Sequence, residues 1–368
     1  MSTKVIFFVP VEKKYISKWE YYQVDYDALN QMFSEVVVCS SIWQVIKNLR
    51  GAKLIYCWWW NQSAPVVILA KLLGITTHVT GAIHMFDLSG APDYYTKGFL
   101  YRLSSKISLA LADRNLFISY DQYHQITSHI FVNNPTVVRS SLAKDSFIGR
   151  EKILKQRALH RDDSTIKHRY RFLSVVWHTR DQHQRKGVFE TLMALSILKQ
   201  RSEFDFEWII IGGSGDGVKK LRKRAKALNL EDHVSIHLDI SQEEKREWFL
   251  KADLYIQPSW CEGFGNAVLE AMSYGLPGLV SRFTAQPEVV GNTGFISLEI
   301  TPENIYQKLE EFIELTEQEK SSLVGNVINR VDKEFLFSMR AAKLKAVCID
   351  SKVFEVSDDD IPKELGGS

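Results

Sequence analysis

Cysteine is scarce in this 368-residue chain, and the four present (Cys39, Cys57, Cys261, Cys348) lie far apart with no C-x-x-C pair. They spell neither a zinc site nor a disulfide framework, and they fit a reducing compartment. Long apolar runs are missing as well. The opening Lys4-Val5-Ile6-Phe7-Phe8-Val9-Pro10 is too short for the hydrophobic region of a signal peptide, and no run approaches the ~18–20 residues needed to span a bilayer. A cytoplasmic protein is the expectation, with room left for peripheral membrane contact. Nor does charge of one sign dominate. The formal net charge is +2, so no global field draws the chain onto nucleic acid, and no RNA or DNA motif is present.

What the chain does have is the composition of a soluble globular protein, with 45% apolar and 24% charged residues. Aromatics reach 12%, including nine Trp, enough for a binding surface as well as cores. The length suits two domains. Short β-branched runs alternate with helical patterns, the rhythm of parallel α/β units. In the first half the strand candidates are Lys4–Val9, Glu35–Cys39, Leu54–Cys57, Thr76–Ile83, Asn115–Ser119 and Thr136–Arg139. The second half repeats the rhythm with Phe172–Trp177, Phe206–Ile211, Val234–Leu238, Leu254–Gln257, Gly278–Val280 and a weaker run near Phe295. Ser241-Gln242-Glu243-Glu244 has capping-box spacing, and Thr301-Pro302 reads as an N-cap followed by proline at the first helical position.

Between the halves, Ile148–Arg171 carries eight Lys or Arg against three acids and reads as a partly helical, solvated connection. The expected organisation is a first domain over residues 1–150, a linker over 151–171, a second domain over 172–335, a helix over 336–350 and a tail over 351–368.

The strongest chemical signal is Pro258-Ser259-Trp260-Cys261-Glu262-Gly263-Phe264-Gly265-Asn266-Ala267-Val268-Leu269-Glu270. A buried strand leads into a turn, and a helix starts at about Asn266. Amide groups at a helix start, with the positive end of the dipole, form an anion site. Gly263 and Gly265 let the backbone approach a diphosphate without a Cβ in the way. Glu262 can accept hydrogen bonds from sugar hydroxyls, and Glu270, about one turn into the helix, can take two adjacent ribose hydroxyls.

This E-x7-E arrangement with an embedded G-F-G resembles glycosyltransferase family 4, the glycosyl transferases group 1, retaining enzymes of the GT-B fold. That likeness implies two Rossmann-like parallel-sheet domains facing each other across a donor-binding cleft. It implies that Arg180 and Lys186, in Thr179-Arg180-Asp181-Gln182-His183-Gln184-Arg185-Lys186-Gly187, contact the donor diphosphate. Position agrees, since ligands of open α/β sheets bind beyond the carboxyl ends of the strands. The likeness further places Gly213 beside the nucleotide, Ile240 in the loop whose backbone reads the base, and Phe264, Asn266 and Ala267 in the donor loop. His84, closing Val79-Thr80-Gly81-Ala82-Ile83-His84, matches a histidine that faces the donor sugar.

Two departures stand out. The family's first strand commonly leads into a Gly-Gly loop near the acceptor, whereas Val9-Pro10-Val11-Glu12-Lys13-Lys14-Tyr15 has no glycine. Arg139-Ser140-Ser141 stands where the family often has Asn-Gly.

The function implied is metal-independent transfer, with retention, of a sugar from a UDP- or GDP-sugar to a saccharide or lipid-linked acceptor in surface polysaccharide or glycolipid synthesis. Arg180, Lys186 and the helix amides would neutralise the leaving diphosphate without a metal or other cofactor. A sugar-nucleotide epimerase is argued against by the glutamate pair with Arg180 and Lys186, and a catalytically silent partner subunit would be told apart by donor hydrolysis. Finally, Tyr94–Lys106 mixes aromatics with bases, and Lys13, Lys14, Lys18 and Trp19 add to it. Either this is a membrane-facing patch or Phe99, Leu100 and Leu103 pack the helix onto its own domain.

Overall fold

The alternating apolar runs become two six-stranded parallel sheets in the computed structural model, which describes residues 4–16, 19–85, 93–161, 169–201 and 204–349. The chain divides into two units. The first comprises the described residues up to Ser146 and those from Phe335 onward, and the second comprises those from Phe147 to Glu334.

The first sheet contains β1 (Lys4–Phe8), β2 (Glu35–Cys39), β3 (Ala52–Trp58), β4 (Thr76–Gly81), β5 (Arg114–Phe117) and β6 (Pro135–Val137), in the order β2-β1-β3-β4-β5-β6. The second contains β7 (Tyr170–Val175), β8 (Phe206–Gly212), β9 (Val234–Leu238), β10 (Leu254–Gln257), β11 (Gly278–Ser281) and β12 (Phe295–Ser297), ordered β12-β11-β10-β7-β8-β9. The central strands β1 and β10 are buried on both faces, which is why they read as unbroken apolar runs.

These orders fix where ligands can go. In the first sheet the helix after β1, Glu20–Met32, packs on one face, and the helix after β3, Trp60–Leu72, packs on the other. Two adjacent strands whose following helices diverge leave a crevice beyond their carboxyl ends, the switch point of the sheet. The strand order of the second sheet reverses in the same way between β7 and β10.

Local signals in the sequence account for most boundaries. Ser241 and Glu244 form both bonds of the capping box, and the Thr301 hydroxyl accepts from Asn304 N at 3.3 Å with Pro302 at the first helical position. The helix in the aromatic and basic stretch runs from Phe99 to Leu111. The charged connection contains a helix, Arg150–Arg161, that is not simply solvated. Ile153 packs with Val324 and Ile328, and the buried Arg157 donates to the carbonyls of Phe249 (3.0 Å) and Ala252 (2.8 Å).

The chain returns to the first unit through the Phe337–Cys348 helix. There the buried Arg340 meets the buried Asp25 at 2.7 Å and donates to the carbonyls of Val138 and Arg139, while Tyr56 Oη donates to Asp25 at 2.8 Å. The tail after residue 349, Phe86 and Asp87 beside His84, and Lys18 lie outside the described residues.

Candidate active site

The switch point of the second unit is built from the segments after β7 and β10. After β7 the Thr179 hydroxyl accepts Gln182 N–H at 3.3 Å and starts a short helix, Arg180–Arg185, which hands on to Lys186. This segment had no apolar period to mark it as helical; its cap is its only local signal. After β10 the chain turns through Pro258–Gly265 into the Asn266–Ser273 helix.

Glu262 lies where the two segments meet. Its Oε1 accepts from Gln257 Nε2 at 3.1 Å and Ser259 Oγ at 3.4 Å. Lys186 Nζ is 3.8 Å from Oε1, and Arg185 Nη1 is 3.5 Å from Oε2. Lys186 Nζ also donates to Val175 O and Gln257 Oε1, both at 3.1 Å. The side chains of Lys186 and Glu262 are each only 12% exposed. Burial pushes the Lys186 ammonium below the usual lysine range, Glu262 opposes that shift, and Arg185 adds to it. Charges held in a poorly solvated place act more strongly than in water and need no reorganisation when a ligand arrives.

A buried polar floor holds these charges in register. Tyr255 Oη donates to Gln257 Oε1 at 2.8 Å and accepts Val175 N–H at 3.3 Å. Gln286 Nε2 donates to Gln257 O at 3.0 Å, and its Oε1 accepts Ser259 N–H at 3.4 Å. A fully satisfied network of this kind rigidifies the loop above it.

The loop itself has the build of an anion cradle. Gly263 is half-buried in a bend, and Phe264 is buried, so its ring anchors the loop and leaves the backbone to a ligand. Gly265 has φ +101°, a conformation that favours glycine, and as the N-cap it offers no side-chain acceptor to the first-turn amides. Asn266 and Ala267 form that first turn, both half-buried.

A family model described as glycosyl transferases group 1 matches residues 160–323. The second unit is a glycosyl transferases group 1 domain. Among curated proteins, the D-inositol 3-phosphate glycosyltransferase of Streptomyces scabiei is 33% identical over 108 residues, covering 27% of this chain and 24% of that protein. The amylovoran biosynthesis glycosyltransferase AmsK of Erwinia amylovora is 31% identical over 161 residues, covering 41% of this chain and 39% of its own. The matched segments thus span well under half of these relatives. The crystal structure of Anabaena HepE in complex with UDP superimposes with a TM-score of 0.71 over 96% of this chain and 100% of that one, at 14% identity. At that identity the likeness shows the fold, which is GT-B.

The remaining residues expected at the site lie on other segments. Glu270 is on the helix after the loop, its Oε1 2.5 Å from Lys245 Nζ. A Cβ at Gly213 would sit 2.2 Å from the Trp177 ring, so only glycine admits that indole, which is largely exposed. Ile240 is half-buried just before the Ser241 cap. Arg180 stands apart from Glu262. Its side chain is 71% exposed, and its Nε lies 3.1 Å from Asp216 Oδ2. His84 belongs to the first unit, past the end of β4, where its carbonyl accepts Tyr94 N–H at 2.8 Å.

Arg185, Gln257, Tyr255 and Gln286 were not singled out from the sequence. Arg185 had a signal in standing beside Lys186, and Gln257 had one as a polar residue ending an apolar strand. Behind the loop of the group 1 domain, His178 Nδ1 and His183 Nε2 are 2.9 Å apart and both residues are buried. Desolvation drives each imidazole down to about 4, helped by Arg222 at His178 and by His178 itself at His183. Both rings are therefore neutral near pH 7 and serve as packing under the Gly212–Gly217 turn. Among the described residues no group of three His, Cys, Asp or Glu side chains has metal-binding geometry.

Proposed function

We propose that this chain is a retaining, metal-independent glycosyltransferase. It moves a sugar from a UDP- or GDP-sugar to a saccharide or lipid-linked saccharide in surface polysaccharide or glycolipid synthesis. The observation that carries the reading is the pairing of Lys186 and Glu262, both nearly buried, beside an uncapped helix start at the switch point of the sheet. Lys186 and the amides of the first helical turn meet the leaving diphosphate, and Arg180 exchanges Asp216 for a phosphate oxygen. Glu262 accepts hydrogen bonds from the transferred sugar, and Glu270 from the ribose. The bond from the anomeric carbon to the phosphate oxygen breaks and a bond to the acceptor oxygen forms on the same face. The acceptor proton leaves with the diphosphate. Positioning and charge stabilisation supply the rate.

The names of relatives favour this class of acceptor, since AmsK is named for amylovoran biosynthesis. A thermal-shift screen of UDP-, GDP- and ADP-sugars followed by a donor-hydrolysis assay tests it. A native-state ligand at a hundred times its Kd adds about 2.7 kcal/mol of stability. A chain that binds a donor and never hydrolyses or transfers it would be a silent partner.

The same reading includes peripheral contact with an anionic membrane. The Phe99–Leu111 helix turns its serines inward, Ser108 Oγ donating to Trp60 O at 2.7 Å, and leaves Phe99 69% and Leu100 77% exposed, with Leu103 beside them. These side chains do not pack the helix onto its own domain, and Lys97, Arg102 and Lys106 lie among them. Apolar and basic side chains together suit an anionic lipid surface. Among the described residues no helix is long and apolar enough to cross a membrane. Flotation with anionic vesicles at low salt is expected to carry the protein upward; recovery in the soluble fraction removes the membrane face.

A further inference from the structure

Two helices of the second unit begin beyond the carboxyl ends of neighbouring segments of its sheet, Gln242–Lys251 after β9 and Asn266–Ser273 after β10. Two rungs join them. The lower rung is aromatic, Phe249 stacking on Tyr274 with centroids 5.3 Å apart and ring planes within 9°. Arg157 fastens that end, donating to the carbonyls of Phe249 at 3.0 Å and Tyr274 at 3.3 Å. The upper rung is ionic, Lys245 Nζ lying 2.5 Å from Glu270 Oε1. Lys245 precedes Phe249 by one turn, and Glu270 precedes Tyr274 by one turn, so the two rungs are in register and the charged one is nearer the helix starts. The Lys245 ammonium also lies 5.9 Å from the centroid of the buried Phe249 ring.

Neither stability nor helix chemistry calls for a charged upper rung. Lys245 is in the fourth position of its helix, near the positive end of the dipole, where a cation is disfavoured. The two side chains are only 18% and 23% exposed. An ion pair drawn out of water contributes little net stability, and apolar side chains of similar volume hold two helices together at least as well. The pair also leaves the carboxylate half used. Lys245 takes Oε1, and Oε2 of Glu270 accepts no hydrogen bond among the described residues.

A carboxylate that takes two adjacent ribose hydroxyls needs a fixed plane, because a side chain that is ordered only on binding gives back affinity as lost rotamer freedom. An ammonium on Oε1 fixes that plane and leaves Oε2 open. We propose that Lys245 is a positioning residue that holds Glu270 for the ribose and thereby sets a preference for ribonucleotide over deoxyribonucleotide donors. This rests on the donor-site reading of Glu270. The helix that carries Lys245 starts directly after Ile240 and the Ser241 cap, so the same ion pair ties the segment assigned to the base to the group assigned to the ribose.

The test is calorimetric titration of the full chain with UDP, GDP and ADP, each beside its 2′-deoxy form, in the unmutated protein, Lys245→Met and Lys245→Arg. For the base that the protein accepts, the ribonucleotide is expected to bind roughly tenfold more tightly than the deoxy form, the scale of one hydrogen bond to a charged group. In Lys245→Met that ratio should fall to about twofold, through weaker binding of the ribonucleotide, as the glutamate loses its fixed plane. Lys245→Arg should restore most of it. Thermal melting should be nearly the same in Lys245→Met, whose apolar side chain fills the rung. A ratio unchanged in Lys245→Met overturns the proposal. Equal affinities for the two forms in the unmutated protein also overturn it, while leaving a nucleotide site in place. If none of the three nucleotides binds the unmutated protein, the donor reading falls and the proposal with it. Should Lys245→Met fail to fold, Lys245→Ala takes its place with the same expectation.

Discussion

The two sheets share one construction, six parallel strands with a switch point, yet the crevices at those points are finished differently. After β7 and β10 the lining is charged and glycine-rich, with Lys186, Arg185 and Glu262 held over a floor of Gln257, Tyr255 and Gln286. After β1 and β3 it is aromatic and free of glycine. The comparison teaches that the shared topology decides where a ligand sits, while the loops decide its kind. A diphosphate calls for backbone amides and cations, the kind of lining found after β7 and β10.

The two units also differ in what their ion pairs do, and mutation separates the roles. Arg340–Asp25 is the more buried pair and anchors the last helix of the first unit. Asp25→Ala leaves Arg340 buried and uncompensated and is expected to cost about 3–5 kcal/mol of stability, measured by urea denaturation, with nucleotide affinity unchanged. Lys186→Ala should do the reverse. Loss of one preorganised group facing developing charge costs roughly a hundred- to a thousandfold in kcat, about 2.7–4 kcal/mol, and stability should change less. If Lys186→Ala unfolds the protein with kcat intact in the folded fraction, the contrast between the two pairs fails. Third in size, Glu270→Ala should weaken nucleoside diphosphate binding by about 1.5–3 kcal/mol in calorimetry, the worth of a hydrogen bond to a charged group. Unchanged affinity would remove Glu270 from the site.

The smallest effect near neutrality is that of pH. His178 and His183 in the second unit and His78 in the first are each pushed by burial from 6.5 down to about 4. A depressed folded value means the unfolded chain takes up protons first. Stability is therefore full above about pH 6.5 and declines as pH falls toward 4. Thermal melts from pH 7.5 to 4.5 should show that decline, and His183→Gln should flatten part of it.

Much of this was legible in the sequence because it is local. The strands are short apolar runs, the Ser241 and Thr301 caps are signals of four and two residues, and the Leu254–Glu270 segment declares a strand, a glycine turn and a helix in order. What stayed hidden depends on distant partners. Arg157 looked like one base in a charged connection until the carbonyls of Phe249 and Ala252 were beside it. Gln286 lies 29 residues from Gln257 in the chain and touches it only in the fold. Trp19 read as part of a membrane patch, but it stacks on Tyr15 and Tyr21, and no periodicity links those positions to Trp58 and Trp59. Arg180 shows the opposite limit, since its motif pointed to the diphosphate while its exposed side chain rests on Asp216.

The central claim, that the crevice after β7 and β10 takes a nucleotide sugar, is tested most directly by calorimetric titration of the full chain with UDP-, GDP- and ADP-sugars in EDTA. The account predicts that sugars of one base bind without added metal and that both Lys186→Ala and Glu270→Ala weaken that binding. Failure of every nucleotide sugar to bind, or binding only once Mg²⁺ or Mn²⁺ is supplied, would contradict it.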